Sequence, residues 1–198
     1  GSAASPVLES LVILSQDVHR IFGGVVPEIA AREHLTAIIP VTRRALADAG
    51  RSFDDIDAIA VTHAPGLVGA LLVGVSYAKA LAESIGKPVI GVHHMEGHLF
   101  ATALEHPDAT PPFTALLVSG GHTLLMDVEA WGRYRLLGQT RDDAAGEAYD
   151  KVAKMAGLGY PGGPVVDRLA RSGRVVEPFA VPRFKGGSVD LSFSGLKT

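Results

Sequence analysis

A chain of 198 residues can bury about 70% of the surface its unfolded form exposes, enough for one large domain or two small lobes. Apolar residues make up 47% and charged residues 20%, a globular balance with no signal peptide and no continuous apolar run fit to cross a bilayer, so the sequence predicts a cytoplasmic protein with no membrane partner. The lack of cysteine excludes disulfides and thiolate metal sites, leaving any metal to His, Asp or Glu, and a net charge of −3 argues against a chain that coats nucleic acid by charge alone.

Gly1-Ser2 reads as a cloning scar, Leu8 to Leu14 as an apolar run entering a sheet partway through, and the abrupt end at Thr198 as the mark of a piece of a longer protein. Val25 to Ala49 predicts a helix with Pro27 in its first turn and Gly50 as its stop, kinked or broken in two at Pro40. Ile56 to Val61 follows as a largely buried strand, then the Pro65-Gly66 turn and a helix from Leu67 to Ser84. On that helix Gly66, Ala70, Gly74, Ala78 and Ala82 recur every fourth residue and form a ridge with almost no side chains. Such a ridge serves equally for packing on the chain's own sheet or first helix and for a joint with another subunit. Pro88 to Val92 reads as a short buried strand, His94 to Glu105 as a helix, and Phe113 to Val118, Leu124 to Asp127 and Arg133 to Gly138 as strands. Asp142 to Leu158 and Val165 to Ser172 read as helices. The pattern is α/β, two β-rich lobes that each carry a glycine turn, which suggests an old duplication.

His94 and His98, four apart on a helix, project from one face one turn apart, as a divalent metal requires; an ordinary surface pair has the same spacing. Gly97 lowers helix propensity there, which suggests that something approaches the backbone. Glu96 is two residues after His94, so the segment is not the zinc-protease pattern. Leu117-Val118-Ser119-Gly120-Gly121-His122-Thr123 is a strand running into two glycines, whose amides can turn inward to cradle phosphate with Ser119 and Thr123 adding hydroxyls; a plain hairpin turn explains it as well. Asp142 and Asp143 at a helix start favour its dipole. Asp150 and Asp167 are placed to accept from ribose hydroxyls while Gly163 lets a flat base lie against the chain, or they are surface acids on two helices. From Arg168 to Lys185 the chain carries Arg168, Arg171, Arg174, Arg183 and Lys185 against Glu177, either a solvated surface or a phosphate-facing patch.

Taken in order, Ser15-Gln16…His19, Gly23 to Glu28 with Arg32 and His34, Pro65-Gly66-Leu67…Gly69, His94-Met95-Glu96-Gly97-His98, Leu117 to Thr123, Asp142 to Lys151, Tyr160 to Pro164 and Ser192 to Lys197 resemble the bacterial tRNA N6-adenosine threonylcarbamoyltransferase family (TsaD, once called glycoprotease-like). The resemblance covers nearly the whole chain from Leu14. It implies an actin-like, sugar-kinase-like two-lobed fold, incomplete here: residues 1–110 as a first lobe lacking its opening strand and carrying the metal-binding helix, and 111–198 as the start of a second lobe with the substrate loop. It implies an acyltransferase that moves threonylcarbamoyl from threonylcarbamoyl-AMP to N6 of adenosine 37 in tRNAs reading codons that begin with A. Carried over by position, His94 and His98 bind one divalent metal, iron or zinc; Leu117, Val118, Ser119, Gly120 and Gly121 contact the substrate; and Asp150, Gly163 and Asp167 hold its adenosine part. Expected partners are tRNA, a paralogous TsaB-like subunit joined through helices including residues 66–84, and a small TsaE-like ATPase.

Ala64 stands where the family has glycine before Pro65-Gly66, and the family's third metal ligand, an aspartate, has no counterpart through Thr198, so this piece alone is expected to bind metal weakly and to be inactive. The rival readings are an ATPase or small-molecule kinase of the same fold, and a non-catalytic partner subunit that presents the ridge. Neither gives His94 and His98 a task.

Overall fold

The longest helix, α1 (Pro27–Ala49), begins at a proline whose missing N–H costs nothing in a first turn and ends where Gly50 takes the left-handed conformation, φ 64°. It runs unbroken through Pro40, so the expected division into two helices does not occur. The computed structural model describes residues 7–198 except Glu177, Ala180 and Arg183, and except the Arg20 side chain; the Gly1-Ser2 reading and the charges of Glu177 and Arg183 fall outside the described residues. The chain divides into two compact units, Gly1–Asp108 and Ala109–Thr198.

In the first unit, β1 (Ile59–Ala64) and β2 (Val89–His93) pair in parallel, connected by α2 (Val68–Ile85), and α3 (His94–Glu105) follows β2 directly. The sequence placed β1 three residues early, because Ile56 has the apolarity of a strand residue but closes the short helical turn Phe53–Asp55. Neither strand is deeply buried: Ile90 is 52% exposed, against the expectation of buried strands, since each strand has one hydrogen-bonded neighbour among the described residues. Leu8 to Leu14 forms no strand. The segment crosses α1 instead, with the Ser10 hydroxyl donating to the Ala45 carbonyl (2.8 Å) and Glu9 paired with Arg51 (2.7 Å). Between it, α1, β1 and α2 lies an open apolar groove of about 600 Å³ lined by Ile38, Leu46, Ile59, Val61 and Tyr77.

The small-residue ridge of α2 is used inside this unit. Ala78 and Ala82 are buried, and a Cβ on Gly74 would meet Val61 Cγ2 at 3.5 Å. α1 packs against α2 at Gly69, where a Cβ would meet Ala31 Cβ at 3.1 Å. What α2 leaves uncovered is the opposite side, at Val68 and Leu72. By length and composition α2 is also apolar enough to cross a membrane, contrary to the reading of the sequence; Lys79 and Glu83 are its only charges, and it packs on α1 and β1. The loop ahead of α1 is tied by the buried His19, whose Nδ1 accepts the Val26 N–H (3.2 Å) and whose Nε2 lies 2.9 Å from Gln16 Oε1.

The second unit is built on an antiparallel sheet of β3 (Phe113–Val118), β4 (Thr123–Ala130) and β5 (Arg133–Gln139), in that order. The two units therefore do not repeat one sheet pattern: one is parallel, the other antiparallel. α4 (Ala145–Met155) and α5 (Gly163–Ala170) follow and pack on each other. The chain then returns to the sheet, where Leu191 N–H donates to Gln139 O (3.0 Å) and Arg141 N–H to Leu191 O (2.9 Å). That return requires Gly138, because a Cβ there would lie 2.5 Å from the Val189 carbonyl oxygen.

Candidate functional site

α3 sorts its side chains by the helical period. Met95 and Leu99 are buried and fix the helix to its unit, while His94 and His98, each one position away, stand exposed. The imidazoles meet edge to face with Nε2 3.2 Å from Nε2. Two nitrogens on one tetrahedral zinc, at bonds of about 2.0–2.1 Å, lie about 3.3 Å apart, so the pair already has the spacing of two ligands to a single ion. No group of three His, Cys, Asp or Glu residues that could hold a metal occurs among the described residues. A Cβ on Gly97 would meet nothing within 4 Å, so this chain's own packing does not demand glycine there.

In the second unit the Ser119-Gly120-Gly121 loop lies against the start of α4. Gly146 N–H donates to Ser119 O (3.1 Å), and Ala145 N–H donates to the buried Thr123 hydroxyl (2.9 Å). The loop's own groups are largely spent. Ser119 Oγ accepts from the amides of His122 (3.0 Å) and Gly121 (3.4 Å), and Ser119 N–H donates to His122 O (2.9 Å). The hydroxyls of Ser119 and Thr123, expected to reach a phosphate, are therefore engaged in closing the hairpin and capping α4, because a short turn and a helix start both need such acceptors. Leu117 is buried in the core and Val118 is 55% exposed. Gly120 and Gly121 face solvent, and a Cβ on either would meet nothing within 4 Å.

Asp150 Oδ1 accepts the Gly162 N–H (2.7 Å) and so fixes the turn into α5. Gly162, which the sequence reading passed over, is the constrained glycine here: a Cβ would lie 2.4 Å from Ala153 Cβ, whereas at Gly163 it would meet nothing within 4 Å. Asp167 is exposed and paired with Arg171 (2.9 Å). Asp150 and Gly163 thus flank the α4–α5 turn, and Asp167 follows one helical turn into α5.

Asp142 and Asp143 lie ahead of α4 and its N-cap Ala144, not in the first turn as the sequence suggests; the acid of that turn is Glu147, which accepts the Ala144 N–H (3.3 Å) beside the Thr123 cap. Asp143 is buried between Lys151 and Lys197, each 2.7 Å away, and these two cations hold its carboxyl below the usual range. Asp143, and after it Glu147, in turn raises the Lys151 ammonium. For Asp142, burial pushes the carboxyl up, but hydrogen bonds from the Ser192 hydroxyl, the Phe193 N–H and the Ser194 hydroxyl and N–H outweigh it and hold the group well below the ordinary range. A depressed carboxylate stabilises the fold above the unfolded value of about 3.9 and loses that contribution as pH falls through the native value. Asp142→Asn should accordingly be less stable than the parent at neutral pH, with the gap closing progressively below about pH 4. Urea unfolding across that range measures it, and a gap independent of pH would refute the role.

A family model described as TsaD, tRNA N6-adenosine threonylcarbamoyltransferase, matches residues 7–198. A curated relative of that description from Gemmatimonas aurantiaca is 63% identical over 210 residues, covering 100% of this chain and 59% of the relative. One from Clostridium perfringens is 55% identical over 193 residues, 97% of this chain and 57% of its own, and one from Moorella thermoacetica is 57% identical over 190 residues, 94% and 55%. The chain thus spans somewhat more than half the length of these relatives. Among solved structures, YeaZ from Pseudomonas aeruginosa is similar at a TM-score of 0.40 and 21% identity over 52% of this chain and 49% of that one, too loose a superposition to set the fold.

Proposed function

The chain belongs to the tRNA N6-adenosine threonylcarbamoyltransferase family, and on that premise we propose that the protein transfers threonylcarbamoyl from threonylcarbamoyl-AMP to N6 of adenosine 37 in tRNAs reading codons that begin with A. The observation that carries this reading is the family match from residue 7 to residue 198. In the reaction a bond forms between N6 and the carbamoyl carbon, the bond from that carbon to the phosphate oxygen of AMP breaks, and one N6 proton is lost. The proposed fold of the whole protein is the actin-like, two-lobed one, working in the cytoplasm.

His94 and His98 would hold iron or zinc, and their Nε2 spacing of 3.2 Å supports the assignment. When bound, the metal supplies Lewis-acid polarisation and a template for the acyl group. The chain's own residues bind and orient. Gly120 and Gly121 leave the backbone open to close approach by the acyl-adenylate, beside Leu117, Val118 and Ser119. Asp150 fixes the turn with one oxygen and offers the other to a ribose hydroxyl, Gly163 gives the base an unobstructed surface, and Asp167 adds a second acceptor. Its present pairing with Arg171 is solvent-exposed and costs about 0–1 kcal/mol to give up.

A TsaB-like subunit would join through α2 by the uncovered Val68 and Leu72 side rather than by the small-residue ridge, which is occupied. A TsaE-like ATPase completes the proposed set. The test is tRNA from cells lacking the gene, complemented with the full gene product and its partners and read by mass spectrometry. Return of the threonylcarbamoylated nucleoside is expected, and unmodified tRNA despite active partners would overturn the reading. An ATPase or small-molecule kinase is not favoured, since the relatives above are named for the transferase.

A further inference from the structure

The cations of the second unit are not distributed as a solvated surface would have them. Arg133 pairs with Glu129, Arg135 with Asp127, Arg141 with Asp190, and Lys151 and Lys197 with Asp143. Lys154, Arg168, Arg174 and Lys185 have no ion-pair partner among the described residues, and all lie in one stretch: the last turn of α4, the last turn of α5 and the segment after it. Arg171, which the sequence alone ranks with them, is held by Asp167. On a chain of net charge −3 this stretch carries an excess of positive charge. Immediately after Arg174 come Val175, Val176, Phe179 and Val181, each at least 77% exposed. Phe179 borders an open groove of about 570 Å³ that Phe193 also lines.

Uncompensated cations followed by an exposed aromatic ring form the combination that takes RNA where it is not fully paired: cations meet phosphates, and the ring stacks on a base. We propose that Lys154, Arg168, Arg174 and Lys185, with Phe179, form the surface that grips the sugar-phosphate backbone and one unpaired base of the tRNA. The assignment rests on the transferase reading and names where the polynucleotide docks on the second unit. All five side chains are exposed, so replacing them changes charge or stacking area with little effect on the fold.

Binding of fluorescently labelled tRNA to the full gene product, followed by anisotropy over a series of salt concentrations, tests it. In Lys154→Gln/Arg168→Gln/Arg174→Gln the slope of log K against log salt should become shallower by about two to three, at roughly 0.7–0.9 per phosphate contact, and Kd at the lowest salt should rise about tenfold. Arg168→Lys/Arg174→Lys keeps both charges and should keep the slope. Phe179→Ala should weaken binding by at least about fivefold with the slope unchanged, and Phe179→Tyr should not. Unchanged affinity and slope in the triple glutamine variant overturns the surface, as does loss of binding to anionic lipid vesicles with tRNA binding intact. Failure of the unaltered protein to modify tRNA would instead overturn the transferase reading, while the titration still reads the surface.

Discussion

Alanine at both His94 and His98 should bring metal per chain down to background and slow threonylcarbamoyl transfer by about a hundredfold or more, since Lewis-acid polarisation contributes several kcal/mol and each 1.36 kcal/mol is a factor of ten. The two rings are exposed and the helix is fixed by the buried Met95 and Leu99, so circular dichroism and the unfolding midpoint should barely move. That separation matters, because it divides loss of the ion from loss of the fold. Either single variant should already lose most of the metal, because one imidazole does not replace a pair whose Nε2 atoms lie 3.2 Å apart. Elemental analysis of the full gene product beside the double variant gives the answer. Equal metal content, or full transfer without metal, would remove the pair from the mechanism.

Gly146→Ala should destabilise the second unit by about 1–3 kcal/mol, although alanine is the better helix former by about 1 kcal/mol. The added Cβ would lie 2.7 Å from Ser119 O and 2.8 Å from both Gly120 N and Gly120 Cα, all backbone atoms that cannot rotate aside. The Ser119-Gly120-Gly121 loop must shift and the Gly146 N–H bond to Ser119 O must lengthen. For a unit of this size the unfolding midpoint should fall by about 4–8 °C per kcal/mol, and KM for the acyl-adenylate should rise with it. Gly97→Ala is the control: it makes the same change of residue in a helix, but with nothing within 4 Å of the new methyl, so it should raise stability by about 0.5–1 kcal/mol. If both variants behave alike, propensity rather than close approach governs Gly146, and the loop is not held as described.

Both predictions concern features that differed in how far the sequence revealed them. The sequence marks α3 and β3 at their observed bounds, and α1 to within two residues, because helical period, strand composition and the Pro27 and Gly50 signals act over a few residues. The closeness of His94 and His98 is legible for the same reason, since i and i+4 are neighbours on any helix. Gly146 and Gly162 leave no such trace: each is constrained by atoms brought up from other parts of the chain, and a glycine in open space reads identically in the sequence. The short β1 was misplaced because Ile56 offers the same local apolarity as Ile59.

By itself, then, the sequence determined the order and type of most elements, the neighbouring placement of His94 and His98 on α3, and the family. Tertiary structure decided what the polar groups do. Asp142 binds residues 50 to 52 positions away, Asp143 holds Lys197, and Thr123 caps a helix that starts 22 residues later. It also turned the α2 ridge inward and left Lys154, Arg168, Arg174 and Lys185 unpaired among the described residues. The physical reason is range: periodicity and capping are set by neighbours along the chain, whereas a carboxylate or an amide takes whichever partner folding carries within about 3 Å of it.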